Sequence, residues 1–122
     1  LVEDGPRRQL LAAVLDRWAA VCRQHELDAW LLYMPCKHRV LADFLTLDGS
    51  THPVLRVWRA NQLPGQLQSL CGERQINFID PTVQLKQLAA SGENPFNTVY
   101  DTHLNQAGSA AVGQLLAERM TR

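Results

Sequence analysis

The chain has 122 residues, 46% of them hydrophobic and 20% charged, the make-up of one globular domain able to bury a core. Twelve basic residues balance twelve acidic ones, so the sequence carries no electrostatic footprint for nucleic acid or an anionic membrane. No apolar run approaches the roughly 20 residues of a membrane helix, and no membrane contact is expected from this segment.

Pro6 suits the first turn of a helix, and apolar residues recur at helical spacing from Leu10 to Val21 before the pattern runs out near His25-Glu26. Leu11, Val14, Leu15, Trp18 and Cys22 fall on its expected inward face. Asp28 to Met34 is a short, nearly continuous apolar run stopped by Pro35, the pattern of a strand covered on both faces. Val40 to Leu45 reads as a further helical turn, and Asp48 to Pro53 as a loop. Val54 to Trp58 is ambiguous and leans towards helix or irregular structure. Pro64 opens a helix through Leu67 and Leu70 to Gly72. Ile76 to Asp80 reads as a second buried strand ended by Pro81, and Val83 to Ala90 as a helix stopped by Ser91-Gly92. Asn105 is a good N-cap for a last helix whose apolar stripe is Ala111, Val112, Leu115, Leu116 and Met120.

Strands separated by helices imply parallel βαβ units, hence an α/β fold with a three-layer parallel sheet. Two strands are too few for a complete domain of that type. The chain also opens Leu1-Val2 without methionine, so we read it as a segment of something longer, and the lack of a targeting signal then says nothing about location. An uncovered strand edge or apolar face left by the missing part is expected to make the segment a homodimer.

The cysteines, Cys22, Cys36 and Cys71, are odd in number and show no C-x-x-C spacing, so neither a disulfide framework nor a zinc site is expected. Cys22 reads as a core residue; Cys36, before Lys37-His38, reads as a packed or exposed thiol rather than a nucleophile.

The most informative passage is Tyr100-Asp101-Thr102-His103-Leu104-Asn105-Gln106-Ala107-Gly108. An acid and a histidine lie one residue apart just before a helix. A carboxylate that fixes a histidine's tautomer supplies two members of a Ser-His-Asp triad. With Asn105 and Gly108, this block resembles the last motif of the SGNH/GDSL hydrolase superfamily. The likeness extends in order along residues 8 to 120. Met34-Pro35-Cys36-Lys37-His38-Arg39-Val40 is similar to the proline-x-lysine segment of bacterial SGNH-like esterases and relatives of the alginate O-acetyltransferases. Ile76 to Asp80 is similar to a strand of theirs that ends in Asp. Only the Asp-x-His block is specific; the remainder is generic α/β pattern.

The resemblance implies that residues 1-122 are the C-terminal portion of an SGNH hydrolase-like domain with a flavodoxin-like sheet. It implies His103 as general base and Asp101 as its orienting acid, with no cofactor and no metal. The substrate would be an ester or an acylated carbohydrate, and the location extracytoplasmic. A single residue between acid and histidine matches the acetyltransferase-like branch, whereas many relatives have two. In that branch the serine block follows the pair; in the commoner hydrolase order it precedes it. The chain ends just after the last helix, as in the commoner order, so the missing serine is placed upstream. The family's oxyanion donors belong to blocks not found in these residues. Ser50, in Asp48-Gly49-Ser50, follows no strong strand and is not assigned as the nucleophile.

Simpler readings stand beside these. The Asp-x-His block can be a plain turn whose acid caps backbone amides. Asn105 is most simply a helix cap and Gly108 a site of close helix packing. Lys37 reads as a solvated charge at a strand end, near the substrate mouth, and His25 and His38 as surface residues. A non-catalytic α/β module that keeps the block is the rival from another class.

Overall fold

The computed structural model describes residues 5–46, 53–54, 60–97 and 101–121. The loop expected at 48–53 and the ambiguous stretch 54–58 fall almost wholly outside them, as does Ser50. The elements, in order, are α1 (Pro6–Gln24), β1 (Trp30–Leu32), α2 (Lys37–Leu41) with a 3-10 turn at Ala42–Phe44, α3 (Leu63–Gly72), β2 (Asn77–Ile79), α4 (Thr82–Ala90) and α5 (Gln106–Met120). The chain is thus mixed α/β and mostly helical. Among the described residues its sheet is a parallel pair, β1 against β2, with Trp30 opposite Asn77 and Leu32 opposite Ile79. A parallel pair needs a long crossover, and the chain between the two strands supplies it.

The residues group into two compact units, Leu1–Tyr33 with Asn61–Ile79 and Met34–Ala60 with Asp80–Arg122. In the first unit, Leu15, Ala19 and Cys22 of α1 pack with Ala29, Leu70, Cys71 and Ile76, flanked by Leu11, Trp18, Leu31 and Phe78. Both helices here leave by the same device. After α1, Glu26 takes a left-handed φ of 54°, and Leu27 N–H returns to Cys22 O at 2.9 Å. After α3, Gln75 at φ 58° lets Ile76 N–H reach Cys71 O, also at 2.9 Å. Each carbonyl, at a helix end, also accepts a second N–H, from His25 and Arg74 respectively, and each turn delivers the chain straight into a strand. Arg74 fastens the two helices on the outside, its Nε donating to Asp16 Oδ1 at 2.8 Å and its Nη1 to Leu70 O at 2.9 Å.

Three sequence expectations shift. Val14 is exposed, because the inward arc of α1 runs through Leu11, Leu15, Ala19 and Cys22. Met120 is exposed as well, since burial along α5 stops after Leu115. The two strands are shorter than expected and only half covered: all of β1 is intermediate in exposure, and β2 runs from exposed Asn77 to buried Ile79. Continuous apolar sequence reports what a complete sheet would bury, and among the described residues this sheet has two strands.

In the second unit α4 packs against both α5 and α2. Asp80 starts α4, its Oδ1 accepting the Thr82 N–H at 2.9 Å and also the Thr82 hydroxyl. Lys86 of α4 meets Asp43 of the 3-10 turn at 2.7 Å. α2 begins at Lys37, earlier than the helical turn expected from Val40, with Val40 and Leu41 buried.

Burial sets thiol chemistry apart. Cys22 and Cys71 lie in the first unit's core and Cys36 is exposed, while burial pushes the Cys71 thiol above its ordinary pKa. Ellman's reagent in native buffer is therefore expected to titrate one thiol rapidly, lost in Cys36→Ser. The other two should react only on addition of denaturant. Rapid labelling of Cys71 in the native protein would contradict this core.

Candidate functional site

The site is one loop of the second unit, between α4 and α5. Gly92, at φ 93°, turns the chain out of α4, and Glu93 N–H returns to Leu88 O at 3.2 Å. Asn94 then folds its carboxamide back so that Oδ1 accepts the Phe96 N–H at 3.1 Å, a turn built around buried Pro95. Phe96, 3% exposed, pairs with Leu104 in an isolated antiparallel bridge, and Asn97 N–H donates to His103 O at 3.0 Å. The loop is therefore a small hairpin, closed below by Asn105.

Asn105 makes the closure with every polar atom it has. Its N–H donates to Pro95 O at 3.1 Å, and its Nδ2 to Asn94 O at 2.7 Å and Phe96 O at 3.1 Å. Its Oδ1 accepts the Gly108 N–H at 2.9 Å, the N-cap bond of α5. The helix-cap reading holds, with the hairpin clamp added to it. Gly108 is a site of close packing against loop backbone rather than a helix: an added Cβ would lie 2.1 Å from Pro95 O.

On this hairpin the structure brings together Asp101 and His103. Asp101 Oδ1 accepts the His103 backbone N–H at 2.8 Å and faces His103 Nδ1 at 2.7 Å. Oδ2 accepts from Asn97 Nδ2 at 3.1 Å. The backbone bond is the amide-capping turn of the simpler reading; the ring contact goes beyond it. A carboxylate acceptor requires the proton on Nδ1, which leaves the Nε2 lone pair facing away from the acid. The His103 side chain is 87% exposed, and no hydroxyl or thiol bonds to it among the described residues. The three hydrogen bonds it accepts, those from His103 first, hold the Asp101 carboxyl below its ordinary pKa.

Lys37 was expected to be solvated; it is half-buried, and its Nζ donates to Asp101 O at 3.2 Å while lying 5.7 Å from the Phe96 ring centre. A four-carbon stem can lie along an aromatic ring and still carry its charge to a carbonyl. His38 is half-buried rather than a surface residue, and His25 is exposed. Cys36, exposed, occupies the N-cap position of α2 with no side-chain capping bond. Ser69 and Ser91 are occupied with backbone carbonyls, Gly65 O and Leu88 O. Among the described residues no group of three metal-ligating side chains occurs. Two surface grooves of this unit, about 290 Å³ along Gln84, Leu88 and Gln114 and about 380 Å³ along Glu93, Asn105 and Ala107, include neither Asp101 nor His103. Sequence reasoning missed Asn97, which no motif marked; its pairing becomes visible only once Phe96 and Leu104 close the hairpin.

Two outcomes follow. Gly108→Ala forces apart the Pro95 carbonyl and the first turn of α5, at a cost of about 3 kcal/mol, to be read from the urea midpoint. For Asp101 the folded pKa is depressed, so its ionised form adds stability above the unfolded value near 3.8, and that contribution is lost as pH falls through the folded pKa. The stability difference between wild type and Asp101→Asn should accordingly be largest near neutrality and shrink below about pH 4. A difference that stays constant down to acid pH would mean that Asp101 carries no such bonds in solution. No family model, curated protein or solved structure matches this chain.

Proposed function

We propose that the chain is the C-terminal part of an SGNH/GDSL-type serine esterase with a three-layer parallel sheet, whose nucleophilic serine lies upstream of these residues. One observation carries the reading: His103 turns Nδ1 to a carboxylate at 2.7 Å and leaves Nε2 without a protein partner among the described residues. In ester hydrolysis Nε2 takes the proton from a serine hydroxyl as the oxygen attacks the carbonyl, then returns it to the leaving alcohol. Asp101 holds the ring in the required tautomer and stabilises the imidazolium. Water as acceptor gives an esterase; a sugar hydroxyl in its place gives a carbohydrate O-acetyltransferase of the same superfamily, with an acylated carbohydrate as donor or product. The 87% exposure of His103 favours a second reading, a non-catalytic binding module that keeps the dyad without completing it.

The proposal includes a two-fold dimer of the segment. Leu10 and Val14 of α1 are 69% and 56% exposed, and the described sheet has no third strand to cover either edge.

Purified as 122 residues, the protein is expected to hydrolyse p-nitrophenyl acetate no faster than its His103→Ala variant, because base and orienter cannot replace a nucleophile. A longer form carrying the native upstream sequence should hydrolyse it. There His103→Ala should lower kcat by at least about 10⁴-fold, and Asp101→Asn by about 10⁴-fold. His103-dependent turnover by the short form would mean a local nucleophile. An inactive long form would favour the binding module. Sedimentation of the short form at about 100 μM should give a dimer, and a clean monomer there would remove that part of the proposal.

A further inference from the structure

The geometry points to Asn97 as the positioning residue of the Asp101–His103 dyad, acting through the second oxygen of the carboxylate. This rests on the reading of the dyad as base and orienter. Both contacts between Asp101 and His103, the backbone N–H at 2.8 Å and Nδ1 at 2.7 Å, converge on one oxygen, Oδ1. Two bonds to a single atom fix that atom but leave the second oxygen, and with it the tilt of the carboxylate, unheld. Asn97 Nδ2, at 3.1 Å from Oδ2, supplies the missing second point. With both oxygens held, the acceptor lone pairs of Oδ1 stay in the plane of the imidazole, where a hydrogen bond is strongest.

Asn97 itself is placed by the hairpin. Its N–H donates to His103 O at 3.0 Å, so the residue that steadies the acid is registered against the backbone of the base. Next to it, the Phe96–Leu104 bridge buries Phe96 beneath the loop. Lys37 Nζ donates to the Asp101 carbonyl at 3.2 Å, a further restraint on the main chain of the acid. Asn97 touches neither His103 Nε2 nor the space before it. The effect of its side chain passes through Asp101, in which respect it differs from the two residues it serves. An amide suits the task, since a neutral donor satisfies Oδ2 without the charge of a lysine, which would compete with the imidazolium for the same carboxylate.

The test uses the 122-residue protein, uniformly labelled with nitrogen-15, and reads the ring-nitrogen shifts of His103 with the imidazole neutral, where the two tautomers differ by the position of one proton. In wild type the proton is expected on Nδ1. In Asn97→Ala the ratio of Nδ1–H to Nε2–H forms should fall about fivefold, the factor that one exposed hydrogen bond of ordinary net strength carries. Asn97→Asp keeps the shape of the side chain and the backbone bond to His103 but sets a carboxylate against Oδ2, and should lower the ratio at least as far. Asp101 should also titrate at higher pH in Asn97→Ala, by its carboxyl carbon-13 shift. A ratio within twofold of wild type in either variant overturns the inference, because a residue that only shapes the hairpin would leave the tautomer alone. This readout needs no turnover, so it stands or falls apart from the esterase proposal. In an active longer form, Asn97→Ala should lower kcat and leave KM unchanged; a rise in KM alone would also overturn the positioning role.

Discussion

The carboxamide of Asn105 is the constraint on which the second unit's loop depends. Its Nδ2 bonds two carbonyls of the outgoing strand of the hairpin, its Oδ1 caps α5, and its own N–H closes on Pro95. Each of these groups would otherwise be an unmet donor or acceptor at a helix end or a tight turn. Because one side chain meets them together, the start of α5 and the hairpin are a single object. Gly108 is part of the same object, since only the absence of a Cβ lets α5 begin against the Pro95 carbonyl. Asp101 and His103 inherit their geometry from that frame. Their side-chain contact is exposed, and exposed polar contacts add little to stability. It is the backbone that holds them together.

The first unit is organised by a different constraint, the way its helices end. Glu26 and Gln75 adopt left-handed backbone angles that glycine would take with less strain. Both turns hand the chain to a strand within a few residues, Trp30 after the first and Asn77 after the second. The strands are parallel neighbours, with Asn77 N–H donating to Ala29 O at 2.8 Å and Tyr33 N–H to Ile79 O at 2.9 Å. Two similar helix exits thus feed two strands in matching register, and the core of Leu15, Cys22, Leu70 and Cys71 fills the angle between helix and strand.

Much of this was legible in the sequence where the signal was local. Pro6 and Pro64 mark helix starts through the proline ring and Asn105 through its capping side chain, and the Asp-x-His spacing places acid and ring within reach whenever the chain turns there. What stayed hidden was relational. Val14 and Met120 belong to apolar arcs whose period is right but whose direction depends on which neighbours exist. The strands read as fully covered because their sequences are apolar, although coverage is a property of the surrounding layers. The proline-x-lysine segment marked Lys37 but not its partner, Asp101, 64 residues away; Asn97 carries no motif and meets Asp101 only across a hairpin whose bridge no pattern announced. The serine and the acyl acceptor are not written in these residues and enter only through resemblance, while of the three-layer sheet expected from alternating strands and helices the described residues hold one parallel pair.

The Asn105 frame has a consequence in time as well as in space. Among the hydrogen bonds that build the hairpin and dyad, the widest separation is the 11 residues from Asn105 to Asn94. Loops of that size close in roughly 10–100 ns, and contacts so near in sequence form without waiting for distant parts of the chain. Lys37, by contrast, must arrive from afar to reach Asp101. The loop is thereby a short cassette that carries its own instructions. The Asn105 clamp and the dyad thus close first, and the Lys37 contact to Asp101 is added when more distant parts of the second unit arrive.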